Sequence, residues 1–298
     1  MAPLVLGADP IGPEALMTRL DGHLPGHAYA ESAIDIALWD LLGKAADLPL
    51  YALLGGRRVE RLPLYHSISC LDPEEMARIA VEAHGTGIRQ FQVKLGADRD
   101  WQADVARLSL VREAVGPGPL VYGDWNCGAT RLEATRVGRA VVNLDVMLEQ
   151  PCRTLEDCAA VRAATGLAMK VDENAHDTAS LLTAHGLGCL DAVALKLSKF
   201  GGLSPLRRAR DLCLHLGASM CIEDNWGSDL ATSAAVHLAA ATPIDRVLNV
   251  CDLSGYVTPR LDPNAPTRSD GGIAPPEGPG LGITPDTDML GAPDQILD

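Results

Sequence analysis

Short apolar runs return at near-regular intervals through the middle of the chain. Five of them end on a charged residue: Phe91-Gln92-Val93-Lys94, Leu120-Val121-Tyr122-Gly123-Asp124, Val146-Met147-Leu148-Glu149, Ala168-Met169-Lys170-Val171-Asp172 and Ala192-Val193-Ala194-Leu195-Lys196. Runs this short and this apolar read as strands buried on both faces. Their last residues lie 30, 25, 23 and 24 positions apart, about one strand plus one helix each time. One more run at 62–69 precedes them, and two follow near 218–223 and 246–251. The segments 72–85, 99–115, 131–142, 154–165, 177–186, 203–216 and 228–241 predict helices, the first opened by Asp72-Pro73, an N-cap followed by a first-turn proline. Eight runs alternating with helices predict an α/β barrel. The competing open doubly wound sheet would want a glycine-rich phosphate loop after an early strand, and no Gly-x-Gly-x-x-Gly occurs.

The flanks differ. Residues 11–57 predict helices: the stretch from Ser32 to Gly43 sets Ile34, Ile36, Ala37, Leu38, Leu41 and Leu42 mostly on one stripe, and Gly55-Gly56 ends the block. Residues 255–298 are rich in Pro, Gly and Asp, as in Pro275-Pro276-Glu277-Gly278-Pro279-Gly280, and read as an extended segment packed on other structure. The chain therefore divides into 1–57, 58–254 and 255–298.

Composition narrows the function. Of 298 residues 47% are hydrophobic, enough for a large core. A formal charge of −14 argues against nucleic acid and against an anionic membrane, which both attract cationic surfaces. Eight cysteines with no Cys-x-x-Cys pair read as reduced thiols, not as a disulfide framework or zinc site. The first residues lack a signal-peptide pattern, and no apolar run reaches membrane-spanning length. The expectation is a soluble cytoplasmic protein acting on a small molecule.

In a parallel barrel the strand C-termini share one face, where active sites gather. Lys94, Asp124, Glu149, Asp172 and Lys196 are thus expected at one mouth. A single such carboxylate reads as a loop charge or helix cap. Three at consecutive strand ends would repel and raise one another's pKa unless a cation neutralised them, and three carboxylates suit Mg²⁺. Lysines on the flanking strands suit proton transfer at a carbon next to a carboxylate, their pKa lowered by the cation and by each other. Lys199, in Lys196-Leu197-Ser198-Lys199-Phe200-Gly201-Gly202, either supports the site through a carboxylate or is solvated. Trp226, in Ile222-Glu223-Asp224-Asn225-Trp226-Gly227, either walls the pocket or packs. Asp224 contacts a ligand amine or caps the next helix. His66, at the end of the first strand, is a substrate contact or a structural histidine. Asp252, after the eighth strand, is placed to orient a catalytic group.

With these residues in view the chain resembles the enolase superfamily, in its muconate lactonizing enzyme/mandelate racemase branch. The motifs are Ser32 to Gly43, Leu53-Leu54-Gly55-Gly56, Gln92-x-Lys94, Asp124-x-Asn126, Glu149-Gln150-Pro151, Asp172-Glu173 and Lys196-x-x-Lys199-x-Gly201-Gly202. The resemblance implies a Mg²⁺-dependent (β/α)7β TIM-type barrel, with Asp124, Glu149 and Asp172 as metal ligands. Lys94 and Lys196 would be the acid/base pair on opposite faces of the substrate, with Gln92, Asn126 and Glu173 in support. Two departures stand out. The family's Lys-x-Lys is here Gln92-Val93-Lys94. The family also carries an N-terminal capping domain, and this chain begins near that domain's helices. Residues 1–57 are therefore expected to be a truncated cap, leaving a more open mouth, with 255–298 packed on barrel and cap. A homo-oligomer is expected.

Within the branch, Tyr65-His66-Ser67, Gln92-x-Lys94, the segment Ile222 to Gly227 and Gly280-Leu281-Gly282-Ile283-Thr284-Pro285 look most like enzymes acting on hydroxyprolines: cis-3-hydroxy-L-proline dehydratases and hydroxyproline betaine 2-epimerases. A betaine favours an aromatic cage. Only 4% of residues are aromatic, and Cys251 closes the eighth strand, which favours dehydration to Δ1-pyrroline-2-carboxylate. The alternatives are 2-epimerisation of a hydroxyproline betaine or another amino-acid derivative, and a truncated, catalytically impaired metal-binding barrel.

Overall fold

The computed structural model describes residues 1–225, 227–257, 260–293 and 296. Its strands are β1 (Leu62–Pro63), β2 (His66–Ile68), β3 (Gln90–Lys94), β4 (Leu120–Asp124), β5 (Val146–Glu149), β6 (Met169–Val171), β7 (Ala192–Lys196), β8 (Ser219–Glu223), β9 (Val247–Val250) and β10 (Gly272–Ile273). Strands β2 to β9 form one sheet in sequence order, and each neighbouring pair is parallel. A bridge between Leu64 and Val250 brings the last strand back to the first. At that seam Gln90 donates to the Leu248 carbonyl, and Asn249 Nδ2 donates to Gln90 Oε1 at 2.7 Å. Helices Pro73–Gly85, Trp101–Val115, Arg131–Ala140, Leu155–Thr165, Thr178–Gly186, Leu203–Leu216 and Asp229–Ala240 fill the seven crossovers, so the expected (β/α)7β barrel is what the chain forms.

One expected strand divides. The run at 62–69 supplies β1, which pairs antiparallel with β10 outside the barrel, and β2 within it. Pro63 has no N–H to give a ladder, and a two-stranded edge sheet tolerates it.

Alternation along the strands sorts side chains into two cores. Val121 and Leu148 face outward into the layer between strands and helices. Tyr122, Met147 and Ala192 join Tyr65, Leu120 and Leu248 in a small apolar plug inside the barrel. The next inward position on β4 is Asp124 and on β5 is Glu149, so the polar site begins where the plug ends.

The N-terminal helix Ala28–Ala46 docks on the barrel through polar groups. Buried Asp35 accepts from the Ser204 backbone N–H at 2.8 Å and from its hydroxyl at 2.5 Å, and Trp39 Nε1 donates to the same hydroxyl at 2.9 Å. Gly202 makes this approach possible: its φ is +112°, and a Cβ there would lie 2.5 Å from the Asp35 side chain. His237 ties three segments together. Its Nδ1 accepts from the Tyr51 backbone N–H at 3.3 Å, while Nε2 lies 3.1 Å from the Leu281 carbonyl of the C-terminal segment. Among the described residues no helix is long and apolar enough to cross a membrane.

His237 sets a pH response. Burial is the main cause that lowers its pKa from 6.5 to about 4. A depressed histidine contributes stability above the unfolded value, and that stability is lost as pH falls through the folded value. Asp35, raised to about 6 by burial, acts oppositely between its folded and unfolded values. The test is therefore the difference between wild type and His237→Gln in urea unfolding. Between pH 6.5 and 4 wild type should lose about 3 kcal/mol more than the variant; equal slopes would refute the role.

Candidate active site

Barrel register brings the five strand-end residues to one rim. Lys94 pairs in register with Asp124, and Asp124 with Glu149. Asp172 follows the end of β6, and Lys196 closes β7. Asp124 and Glu149 are wholly buried, and Asp172 is nearly so. Beside them lies a cavity of about 700 Å³ lined by Tyr65, Ser67, Ser69, Gln92, Lys94, Asn126, Asp172, Lys196, Glu223, Asp224, Asn225, Cys251 and Leu253.

Each carboxylate is engaged by a lysine. Lys94 Nζ lies 2.5 Å from Asp124 Oδ2 and donates to Asn126 Oδ1 at 3.0 Å. Lys196 and Lys199 each reach Asp172 at 2.8 Å, on different oxygens. Lys170, buried beneath the mouth, lies 2.9 Å from Glu149 Oε1, while Gln92 Nε2 donates to Oε2 at 2.8 Å. The Lys170 ammonium also sits 4.7 Å from the centre of the Tyr122 ring, a cation–π contact in a desolvated site.

The titration behaviour follows from burial and these pairs. Burial is the largest influence on Glu149 and raises its pKa; Lys170 opposes the rise, and Asp124, Asp172 and Glu223 add to it. Burial raises Asp172 too, but Lys199 and Lys196 outweigh it and hold the group at about 2. Lys196 is held above the usual lysine range: burial lowers it, but Glu223, Asp172 and Glu149 more than offset that. The lowered lysine expected from sequence therefore requires the carboxylate charge to be neutralised.

Among the described residues no three Asp, Glu, His or Cys donors are drawn around a common point. Yet three buried carboxylates stand at the ends of adjacent strands, where their charges are balanced only by lysines. In donor chemistry an all-oxygen set of three carboxylates fits a hard divalent cation.

The supporting candidates divide. Gln92 is a bridge: it accepts from Ser67 Oγ at 2.8 Å while donating to Glu149. Asn126 links Lys94 to Glu173, its Nδ2 donating to Glu173 Oε1 at 3.0 Å. Asp224 lines the cavity, but its carboxylate accepts from Ser198 N at 3.1 Å, from the Ser198 hydroxyl and from Asn225 N at 2.8 Å. It does not cap the following helix, which Ser228 does. His66 opens β2 instead of ending it. Alternation points Tyr65, Ser67 and Ser69 into the mouth and turns His66 outward, to a separate cavity with Ile79, Thr86 and Arg268. Asp252 holds the turn Leu253–Tyr256 through Gly255 N and pairs with Arg268 at 2.7 Å, and it is not among the mouth-lining residues. Trp226 lies outside the described residues. Sequence reasoning gave no role to Lys170, Tyr65 or Glu223. A lysine two places before a strand-end aspartate, on the same inward face, was the available signal for the first. Glu223 closes β8 as the other site residues close their strands.

Residues 1–55 match the family described as mandelate racemase/muconate lactonizing enzyme, N-terminal domain, and residues 74–289 match the enolase C-terminal domain-like family. The chain is similar to the cis-3-hydroxy-L-proline dehydratase of Roseibium aggregatum, with 40% identity over 293 residues, 98% of this chain and 79% of that protein. It is 30% identical to the N-succinyl-L-Arg/Lys racemase of Bacillus cereus over 296 residues, 97% of this chain and 78% of that protein. A solved magnesium complex of an enolase-superfamily member from Roseovarius nubinhibens superposes with a TM-score of 0.94 at 36% identity, covering 99% of this chain and 80% of that one.

The Lys170–Glu149 pair gives a direct test. Lys170→Met strands a buried carboxylate and should destabilise the protein by about 3–5 kcal/mol. Adding Glu149→Gln removes that stranded charge and should restore part of the loss. Urea denaturation of the two variants measures both; a double variant no more stable than Lys170→Met would refute the pairing.

Proposed function

We propose that this chain, which belongs to the enolase superfamily in its mandelate racemase/muconate lactonizing enzyme branch, dehydrates cis-3-hydroxy-L-proline to Δ1-pyrroline-2-carboxylate. The observation that carries the chemistry is the placement of two lysines. Lys94 on β3 and Lys196 on β7 are four places apart in an eight-stranded barrel, hence across it from each other, and both line one cavity. The strands between them carry Asp124, Glu149 and Asp172, which would hold Mg²⁺. Bound there, Mg²⁺ would stabilise the negative charge that develops on a substrate carboxylate when the α-proton leaves.

The two lysines then divide the work. In cis-3-hydroxy-L-proline the carboxylate and hydroxyl share one ring face, so the α-hydrogen lies on the other. One lysine takes the α-proton as a neutral amine. The lysine across the pocket gives a proton to the 3-hydroxyl, which departs as water as its C–O bond breaks and the Cα–C3 double bond forms. The resulting enamine tautomerises to the cyclic imine. Burial favours the neutral amine of Lys196 once its carboxylate partners are neutralised. Gln92 and Lys170 hold Glu149 from both oxygens, so its position does not depend on the substrate. The similarity to a dehydratase over nearly the whole chain supports this substrate.

Incubation of the protein with Mg²⁺ and cis-3-hydroxy-L-proline in D₂O, followed by mass spectrometry, tests the reading. Loss of water with deuterium in the product is expected. Epimerised or deuterated substrate without water loss would replace dehydration by epimerisation; an unchanged substrate would reject both. Lys94→Ala and Lys196→Ala should each lower turnover by about 10²–10⁴-fold. Independently of turnover, Mg²⁺ should raise the thermal unfolding midpoint of wild type, and Glu149→Gln or Asp172→Asn should abolish the rise.

A further inference from the structure

The charges lining the mouth do not cancel. Lys94 is taken by Asp124, and Lys196 by Asp172, which Lys199 also holds. Asp224 is satisfied by the donors of Ser198 and Asn225. Glu223 differs. It is 2% exposed and lines the cavity, yet among the described residues no lysine, arginine or histidine forms an ion pair with it. Lys196 is its register neighbour but turns to Asp172 at 2.8 Å. Among the described residues Glu223 has one hydrogen-bond donor, the Tyr65 hydroxyl, at 2.6 Å to Oε2. A buried carboxylate needs counter-charge and donors; Lys196 acts on Glu223 only at a distance while bonded to Asp172, so a cation in the cavity would be its close partner.

We infer that Glu223, oriented by Tyr65, is the binding site for the ammonium group of the substrate and makes the enzyme selective for α-amino or α-imino acids with a charged nitrogen over N-acylated ones. The inference rests on the α-proton chemistry proposed above and adds the contact that selects among carboxylate substrates. Position supports it. A substrate carboxylate directed toward β4, β5 and β6, with Cα between β3 and β7, leaves its nitrogen on the remaining arc of β8, β9 and β2. The side chains that line the cavity from that arc and its loops include Tyr65, Ser67, Glu223 and Cys251, and Glu223 is the one among these with a negative charge to offer. Its second oxygen accepts an N–H of a secondary ammonium while the first stays on Tyr65. An N-acyl substrate has no charge there and would leave Glu223 buried and unpaired.

The test uses L-proline, which carries the secondary ammonium but no leaving group, and N-acetyl-L-proline, which lacks the charge. Binding of each to the Mg²⁺-loaded protein is measured by calorimetry. Wild type should bind L-proline at least about tenfold more tightly, because the neutral ligand strands a buried charge. Glu223→Gln should bring the two affinities close to equal, and Glu223→Ala, run in parallel in case one variant misfolds, should do the same. Tyr65→Phe keeps the carboxylate and should keep the preference. A wild type without preference, or a folded Glu223→Gln that retains it, overturns the site. Water loss from cis-3-hydroxy-L-proline is measured on the same wild-type sample. Dehydration with a preference independent of Glu223 sinks the ammonium site alone, while a Glu223-dependent preference without dehydration sinks the dehydratase reading alone.

Discussion

Three carboxylates buried side by side at the ends of adjacent strands are the constraint around which the rest of this barrel is arranged. Left bare, the like charges of Asp124, Glu149 and Asp172 would repel one another. The structure answers with lysines on every side. Lys94 and Lys196 come from the flanking strands, Lys199 from the turn after β7, and Lys170 from inside the barrel. Only the last is fully buried, and it is placed over the Tyr122 ring with Glu149 as its ionic partner. Desolvating such a pair is costly, and well-packed apolar residues often serve stability equally well. Keeping it therefore points to the site's need for a fixed carboxylate.

The barrel meets this need through register. One residue of slip would turn every inward side chain outward, exchanging Asp124 for Gly123 and Glu149 for Leu148. The apolar plug of Tyr122, Met147 and Ala192 resists that exchange, because the same slip would expel it into a layer already filled by the helices. Gly123 adds a local check: a Cβ there would lie 2.6 Å from the Leu95 Cδ1 methyl, so a larger residue would displace Leu95. The polar rim is thus positioned by apolar packing one layer below it.

Much of this was legible in the sequence because burial on both faces leaves long apolar runs, and because parallel strands must be separated by helices. The five strand-end residues stood out since each broke an apolar run at the same phase. What stayed hidden depended on which way a side chain points. His66 and Tyr65 are neighbours at the start of a short strand, and without its exact boundaries nothing says which faces the mouth. Strand β2 begins at His66, so the histidine that looked terminal is initial and turned outward. Asp252 likewise looked like a site residue by its place after the eighth strand, but its partners Gly255 and Arg268 belong to the segment that follows. Lys170 was masked by its setting, since a lysine inside a strand reads as a solvated edge charge until the strand is known to be closed in a barrel.

Closure also gives the two lysines their meaning. In an open sheet, β3 and β7 would lie four strand spacings apart, near 19 Å at about 4.8 Å each, and no small substrate would meet both. Joining Leu64 to Val250 curls that distance into a diameter and sets the ammonium groups on opposite sides of one cavity. The same closure places Glu223 on the arc facing the carboxylate cluster. On the proposed reading, a small zwitterion would have its negative end, its reacting carbon and its positive end addressed from three directions at once. None of the three groups is supplied by a loop free to move independently, since each lies at or next to the end of a hydrogen-bonded barrel strand. Orientation of this kind lowers the entropic part of a barrier before any proton moves, and here it follows from strand order and register alone.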